Sequence, residues 1–230
     1  MTTPPGHPDL NQLADQLRAN PYFRGLDEHT LAELTRAARW REYAAGEVVF
    51  LEGEAAAGLY LLQRGWLKAV KTSPEGREQV LRFIGPDETF NEVGAFAGHP
   101  NPATAVALEP AGVWLLPRHS ITHLLRERPD FAERVIGNMA ERVLHLINLV
   151  ADLSLRPVTG RLARLLLDSA EGDVLQRPRW YTQAELAARL GTVPDVVQRA
   201  MRGLETEGVI VVERHLIRIR DRTALEKLAA

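Results

Sequence analysis

The sequence predicts an α+β protein in three parts: a β-rich N-terminal half, one long helix, and a C-terminal helix-turn-helix followed by a β wing. Three observations lead there. Between Trp40 and Pro117, short apolar runs alternate with glycines, which is the rhythm of an all-β sandwich or barrel. From Pro129 to Leu155 the apolar residues step by three and four, the period of a helix with an a/d seam. From Tyr181 to Ile210 the chain reads as helix, tight turn, helix and strand start.

In chain order, residues 1 to 8 are Pro-rich and expected to lack order. Leu10 to Leu17 fits a short helix, and Pro21 to Leu34 fits a turn and then a helix capped near Asp27. The expected strands include Val48-Val49-Phe50, Tyr60-Leu61-Leu62, Trp66 to Val70, Val80 to Ile84 and Val113 to Leu116, with Pro74-Glu-Gly-Arg77 as a turn. In the long helix, Ile136, Met139, Val143, Leu146, Val150 and Leu153 form the seam. Val135, Leu144, Ile147 and Leu149 add apolar surface beside it, enough for one face on the chain's own core and another on a partner. Arg156-Pro157 breaks the helix as a hinge, Val158 to Leu167 is a further helix, and Glu171 to Arg179 reads as a polar loop.

The 230 residues suit one large or two modest domains, divided here as 1–128, 129–156 and 157–230. The absence of cysteine excludes disulfides, a cysteine-ligated iron–sulfur cluster and a cysteine zinc site. No run reaches membrane-spanning length and the start lacks a secretory signal, so a cytoplasmic location with no membrane partner is expected. From Arg156 onward there are 13 Lys and Arg against 10 Asp and Glu, leaving 15 against 20 before it, so charge favours an acidic sensor joined to a basic reader. No Gly-rich phosphate loop, metal cluster or nucleophile elbow is present, which argues against an enzyme with catalytic residues or a metal site.

Thr182 caps the first C-terminal helix with Glu185 three residues on, and Leu186, Ala187 and Leu190 form its inner face. Gly191 stops it, because glycine takes left-handed geometry without strain. The second helix opens near Pro194 and turns Val197, Met201 and Leu204 inward. Val209 to Arg220 reads as two β-branched strands around a turn near Arg214. The runs Thr182-Gln-x-Glu-Leu-Ala-x-x-Leu-Gly-Thr, Arg199-x-x-x-x-Leu-Glu-x-Glu-Gly-x-Ile and Asp221-Arg-x-x-Leu-x-x-Leu resemble the cyclic-AMP receptor protein/FNR family of bacterial transcription regulators. The spacing of Gly46-Glu-Val-Val-Phe50, Gly53, Tyr60 and Gly65-Trp-Leu-Lys68 is similar to the cyclic-nucleotide-binding β-roll of that family. The resemblance implies a sensor β-roll, a dimerisation helix and a winged helix-turn-helix. It also implies a homodimer acting on double-stranded promoter DNA, with RNA polymerase as a further partner.

The outward set Gln198, Arg199 and Arg202, with Pro194 and Asp195 at the helix tip, is placed to meet base edges. Thr182 and Gln183 are placed to donate to phosphate. Family members commonly carry Ser-Arg-Glu-Thr where this chain has Val193-Pro-Asp-Val196, so the family's usual half-site is not expected.

The resemblance places an effector pocket at Asn91, Glu92, Leu146 and Ile147. Three features argue against cyclic AMP. Asn91 replaces a glycine, Pro102-Ala103 stand where Arg-Ser belongs, and Leu146-Ile147 replace hydroxyl-bearing residues. A cyclic phosphate buried without a cation would be costly. The Phe90-x-Glu and Pro100-Asn-x-x-Thr104 spelling is similar to the family's nitric-oxide-responsive, haem-using branch, for which His99 and His145 are the axial-ligand candidates. A dimer with no small effector is a third option. The alternative function is a haem- or small-ligand-sensing module whose helix-turn-helix serves protein contact.

Overall fold

A computed structural model describes residues 9–229, with the side chains of His145, Asn148 and Leu153 outside the described set. The expectations for residues 1 to 8, for His145 as a haem ligand and for the Leu153 side chain in the seam therefore lie outside the described residues. Two compact units are present. One comprises residues up to Lys71 with Arg82–Val143, and the other comprises Thr72–Leu81 with Leu144–Ala230.

In the first unit, α1 (Leu10–Ala19) and α2 (Glu28–Ala37) begin at aspartates whose carboxylates accept backbone N–H bonds, Asp9 from Asn11 and Asp27 from Thr30. Leu13, Leu17, Leu31 and Leu34 recur on one face of each helix and are buried. Two four-stranded antiparallel sheets follow. One orders β1 (Arg39–Tyr43), β8 (Ala111–Pro117), β3 (Gly58–Arg64) and β6 (Thr89–Phe90). The other orders β2 (Val48–Phe50), β7 (Thr104–Ala107), β4 (Leu67–Thr72) and β5 (Glu78–Ile84), of which Thr72 and Glu78–Leu81 are counted with the second unit. Between them lie Leu62, Leu67, Ile84, Phe90, Ala105 and Val113, with Phe90 stacked on Phe50 and Tyr60 at centroid distances of 5.9 and 5.1 Å and Phe50 tilted against Tyr60 at 5.1 Å. A second cluster packs α1, α2 and α3 (Arg118–Glu127) against the β1-β8-β3-β6 sheet through Phe23, Leu59, Leu61, Trp114, Ile121 and Phe131.

The long helix α4 spans Pro129–Leu155, as its seam predicts. Its first turns bury Phe131 and Val135 in that second cluster, and Met139 packs against it half-buried. Met139, expected in the seam, has part of its side chain on the chain's own core.

The second unit is built from α5 (Val158–Ser169), α6 (Gln183–Leu190), α7 (Pro194–Thr206) and α8 (Arg222–Ala229), with a three-stranded sheet ordered β10 (Ile210–Val212), β11 (Leu216–Ile219) and β9 (Val174–Gln176). Leu162, Leu166, Leu186, Val197, Leu204, Ile210, Ile217 and Leu225 form its core. The segment expected as a polar loop thus contains a strand. Val174 and Leu175 pair with Arg218 and Ile217, a partnership more than forty positions away that local sequence does not announce.

Candidate nucleic-acid interface

The α6–α7 pair forms because two short amphipathic helices are punctuated by one glycine. Gly191 adopts φ 64°, ψ 42°, and its N–H closes the end of α6 on the Ala187 carbonyl. At the start of α6, the Thr182 hydroxyl accepts the Glu185 N–H at 3.2 Å. Thr182 therefore has a local duty, and its own O–H stays available to donate outward. Replacing Thr182 with alanine is expected to cost about 1 kcal/mol in stability of this unit, read as an earlier urea midpoint.

Helix α7 buries Val197, Met201 and Leu204 against the core. The opposite face carries Asp195, Arg199 and Arg202, all exposed, while Gln198 is half-buried at its edge. Successive 100° steps put Asp195, Arg199 and Arg202 within one sector of the helix. Among the described residues neither Arg199 nor Arg202 has an ion-pair partner, and both are exposed. Thr182, Gln183, Pro194 and the hairpin tip Glu213–His215 are also exposed. Each sequence-predicted DNA-binding residue is thus accessible or at the rim of an accessible face. Val193, also exposed, was not among them.

The expected effector residues behave differently. Asn91 and Glu92 are buried, at 7% and 4% exposure. Asn91 has φ 67°, the left-handed region a glycine would favour, and its amide donates to the Asn101 side-chain oxygen at 2.9 Å and the Gly58 carbonyl at 3.2 Å. Glu92 opens a π-helical turn, Val93–Ala97, and accepts from Thr89 Oγ1 at 3.1 Å. Arg142 on α4 donates to the same carboxylate, and Arg82 on β5 lies 4.0 Å from it. Burial pushes the Glu92 carboxyl above its ordinary value, opposed by Arg142 and then by Arg82. Burial likewise raises the nearby Tyr22 phenol, with the Glu92 charge adding to the shift.

Arg82 and Arg142 were not singled out from sequence. A buried carboxylate demands a cation, and α4 carries two basic residues, Arg134 and Arg142, which is the signal that would have found one of them. Pro102 is exposed and Ala103 buried, so neither supplies a charge to this site. Leu146 and Ile147 are 52% and 57% exposed. His99 is exposed. No group of three metal-ligating side chains occurs among the described residues, and no helix among them is long and apolar enough to cross a membrane.

Along α4 the seam residues Ile136, Val143, Leu146 and Val150 are 69%, 54%, 52% and 62% exposed. Leu144 and Ile147 widen the stripe. Isolated exposed aliphatics are ordinary, but six on one helix make a continuous apolar surface.

Comparison with known proteins agrees with these features. Residues 40–128 match the cyclic nucleotide-binding domain model, and residues 160–228 match the Crp-like helix-turn-helix domain model. The CRP-like cAMP-activated global transcriptional regulator of Mycobacterium tuberculosis is 29% identical over 213 residues, covering 90% of this chain and 95% of that protein. The cyclic AMP receptor protein of Thermus thermophilus is 29% identical over 217 residues, covering 93% and 98%. The solved structure of FixK2 from Bradyrhizobium japonicum has the same fold, with a TM-score of 0.76 at 23% identity over 84% of this chain and 98% of that one. With both domain models matched in order and relatives aligned along nearly their whole length, the chain belongs to the cyclic-AMP receptor protein/FNR family, transcription regulators that bind DNA through a helix-turn-helix and are not enzymes.

Proposed function

We propose that this chain acts as a homodimer that places two copies of α7 on one operator, with the β-roll as the regulatory input. The observation that carries this reading is the apolar stripe of α4, whose residues Ile136, Val143, Leu146 and Val150 are each more than half exposed. A second copy of the same helix, related by a two-fold axis, would cover the stripe with itself. Two recognition helices then meet successive major grooves, with half-sites spaced by about one helical turn of DNA.

Within each half, Arg199 and Arg202 supply cations to phosphate or guanine, Gln198 suits adenine, and Thr182 and Gln183 donate to phosphate. Contact with RNA polymerase follows from the same reading. The effector, where one acts, is not cyclic AMP. The side chains that would receive a cyclic phosphate are Pro102 and Ala103, and the neighbouring Asn91 amide is already committed to Asn101 and Gly58. The cations nearby, Arg142 and Arg82, face Glu92.

Selection from random duplex DNA by the full chain tests the reading. An inverted-repeat sequence should emerge, bound with an affinity that falls steeply with salt. Arg199→Ala should weaken that binding by about 1–3 kcal/mol at fixed salt. Salt-insensitive binding with no preferred sequence would favour a helix-turn-helix serving protein contact. Unchanged affinity in the variant would remove Arg199 from the contact set.

A further inference from the structure

The tip of α7 differs chemically from the rest of its outer face. Val193 occupies the N-cap position, with φ −115° and ψ 155°, and makes no side-chain capping bond. β-Branched aliphatics are among the poorest residues there, because they cannot accept the free N–H groups of the first turn. The helices α1, α2 and α6 of the same chain are capped by Asp9, Asp27 and Thr182, while α3 and α5, which open behind Pro117 and Pro157, also lack a side-chain cap. Val193 does not serve the core either, being 53% exposed. Pro194 follows, exposed and without an N–H to donate. Asp195, also exposed, adds a carboxylate beside these two apolar groups.

We infer that Val193 and Pro194 read the C5-methyl group of thymine, so that each operator half-site holds a T·A pair under the tip of α7. The inference rests on the DNA-facing reading of α7 proposed above, with which this surface is continuous. Of the groups a base pair shows in the major groove, the thymine methyl is the apolar one. Guanine presents N7 and O6 acceptors there, and an isopropyl group laid over them removes water without replacing its hydrogen bonds. Asp195, as an acceptor, would also repel those guanine atoms. A T·A pair satisfies both features, since the methyl meets Val193 and Pro194 while the adenine N6 amino group can donate to Asp195. The tip of the helix thus selects by shape and apolar contact where Arg199 and Arg202 select by charge.

The test uses the duplex recovered by selection with the full chain. Each thymine is replaced in turn by deoxyuridine, which keeps the base pair and removes the methyl. One position in each half-site should lose about fourfold in affinity, the worth of one buried methyl group. For the variant Val193→Ser, the same replacement should change affinity less than the wild-type loss. Serine is a favoured N-cap residue, so the variant should melt no earlier than wild type, and its loss of methyl sensitivity cannot be ascribed to unfolding. Tolerance of deoxyuridine at every position, or an equal loss in Val193→Ser, would overturn the inference while leaving α7 as the DNA-reading helix. Failure to recover any preferred sequence would overturn the DNA-reading proposal itself.

Discussion

Replacing Val143 and Val150 together with aspartate is expected to leave a folded monomer that no longer binds its operator. Both side chains are more than half exposed in the single chain, at 54% and 62%, so neither contributes much to the chain's own core. Their cost appears on association. Across a two-fold helix pair the double variant places four carboxylates in an apolar seam, and each unpaired buried charge costs several kcal/mol. Dimer affinity should fall by more than about a hundredfold, and operator affinity with it, because a single half-site loses the linkage between two α7 contacts. Sedimentation equilibrium and circular dichroism check the two halves of the expectation. A variant that still sediments as a dimer would take the stripe out of the interface.

The second large effect concerns Glu92. Arg142→Ala removes the donor that faces a carboxylate of 4% exposure. Breaking a buried pair from one side typically costs several kcal/mol. Arg142 is itself about one-third exposed and Arg82 remains at 4.0 Å, so the lower part of that range applies, about 2–3 kcal/mol at pH 7. The pH dependence has a definite sign. Burial already raises the Glu92 carboxyl in the folded chain, and loss of Arg142 raises it further. Between the unfolded glutamate value and the raised folded value, the folded state holds more protons, so stability falls as pH rises through that window. The penalty of Arg142→Ala should therefore shrink as pH is lowered from 7 towards 5. Adding Glu92→Gln should recover part of it at pH 7, because a neutral amide needs no cation beside it. Urea unfolding of the two variants and the wild type at both pH values measures this. A penalty that is independent of pH and unrelieved by Glu92→Gln would mean that Arg142 acts through packing alone.

Local sequence carried the parts of the fold whose signals are local. The α6–Gly191–α7 unit and the span of α4 were legible because capping, glycine and helical period all lie within a few residues. Strands set by distant partners were harder. β1, Arg39–Tyr43, contains two arginines and a glutamate, and it is a strand because β8 pairs with it along its whole length. β9 hides in a polar stretch for the same reason. α3 follows a proline and has no side-chain cap, so its start gives no local sign.

The candidate site divides in the same way. Asp195, Arg199 and Arg202 share a helix face that spacing alone specifies. The pairing of Glu92 with Arg142 spans fifty positions and needs the roll and the helix to be folded before it exists. Met139 fits the seam period but packs half-buried on its own core, because the first turns of α4 are already turned that way by Phe131 and Val135. Val193 was passed over because it stands just before the helix, where a periodic reading does not reach.

The central claim is that two copies of α7 are held side by side on one duplex. Light scattering of the complex between the full chain and its selected operator measures the number of chains per duplex directly. Two chains on an inverted repeat with half-sites about one turn apart is the predicted result. One chain bound per duplex, at concentrations that saturate the site, would contradict it.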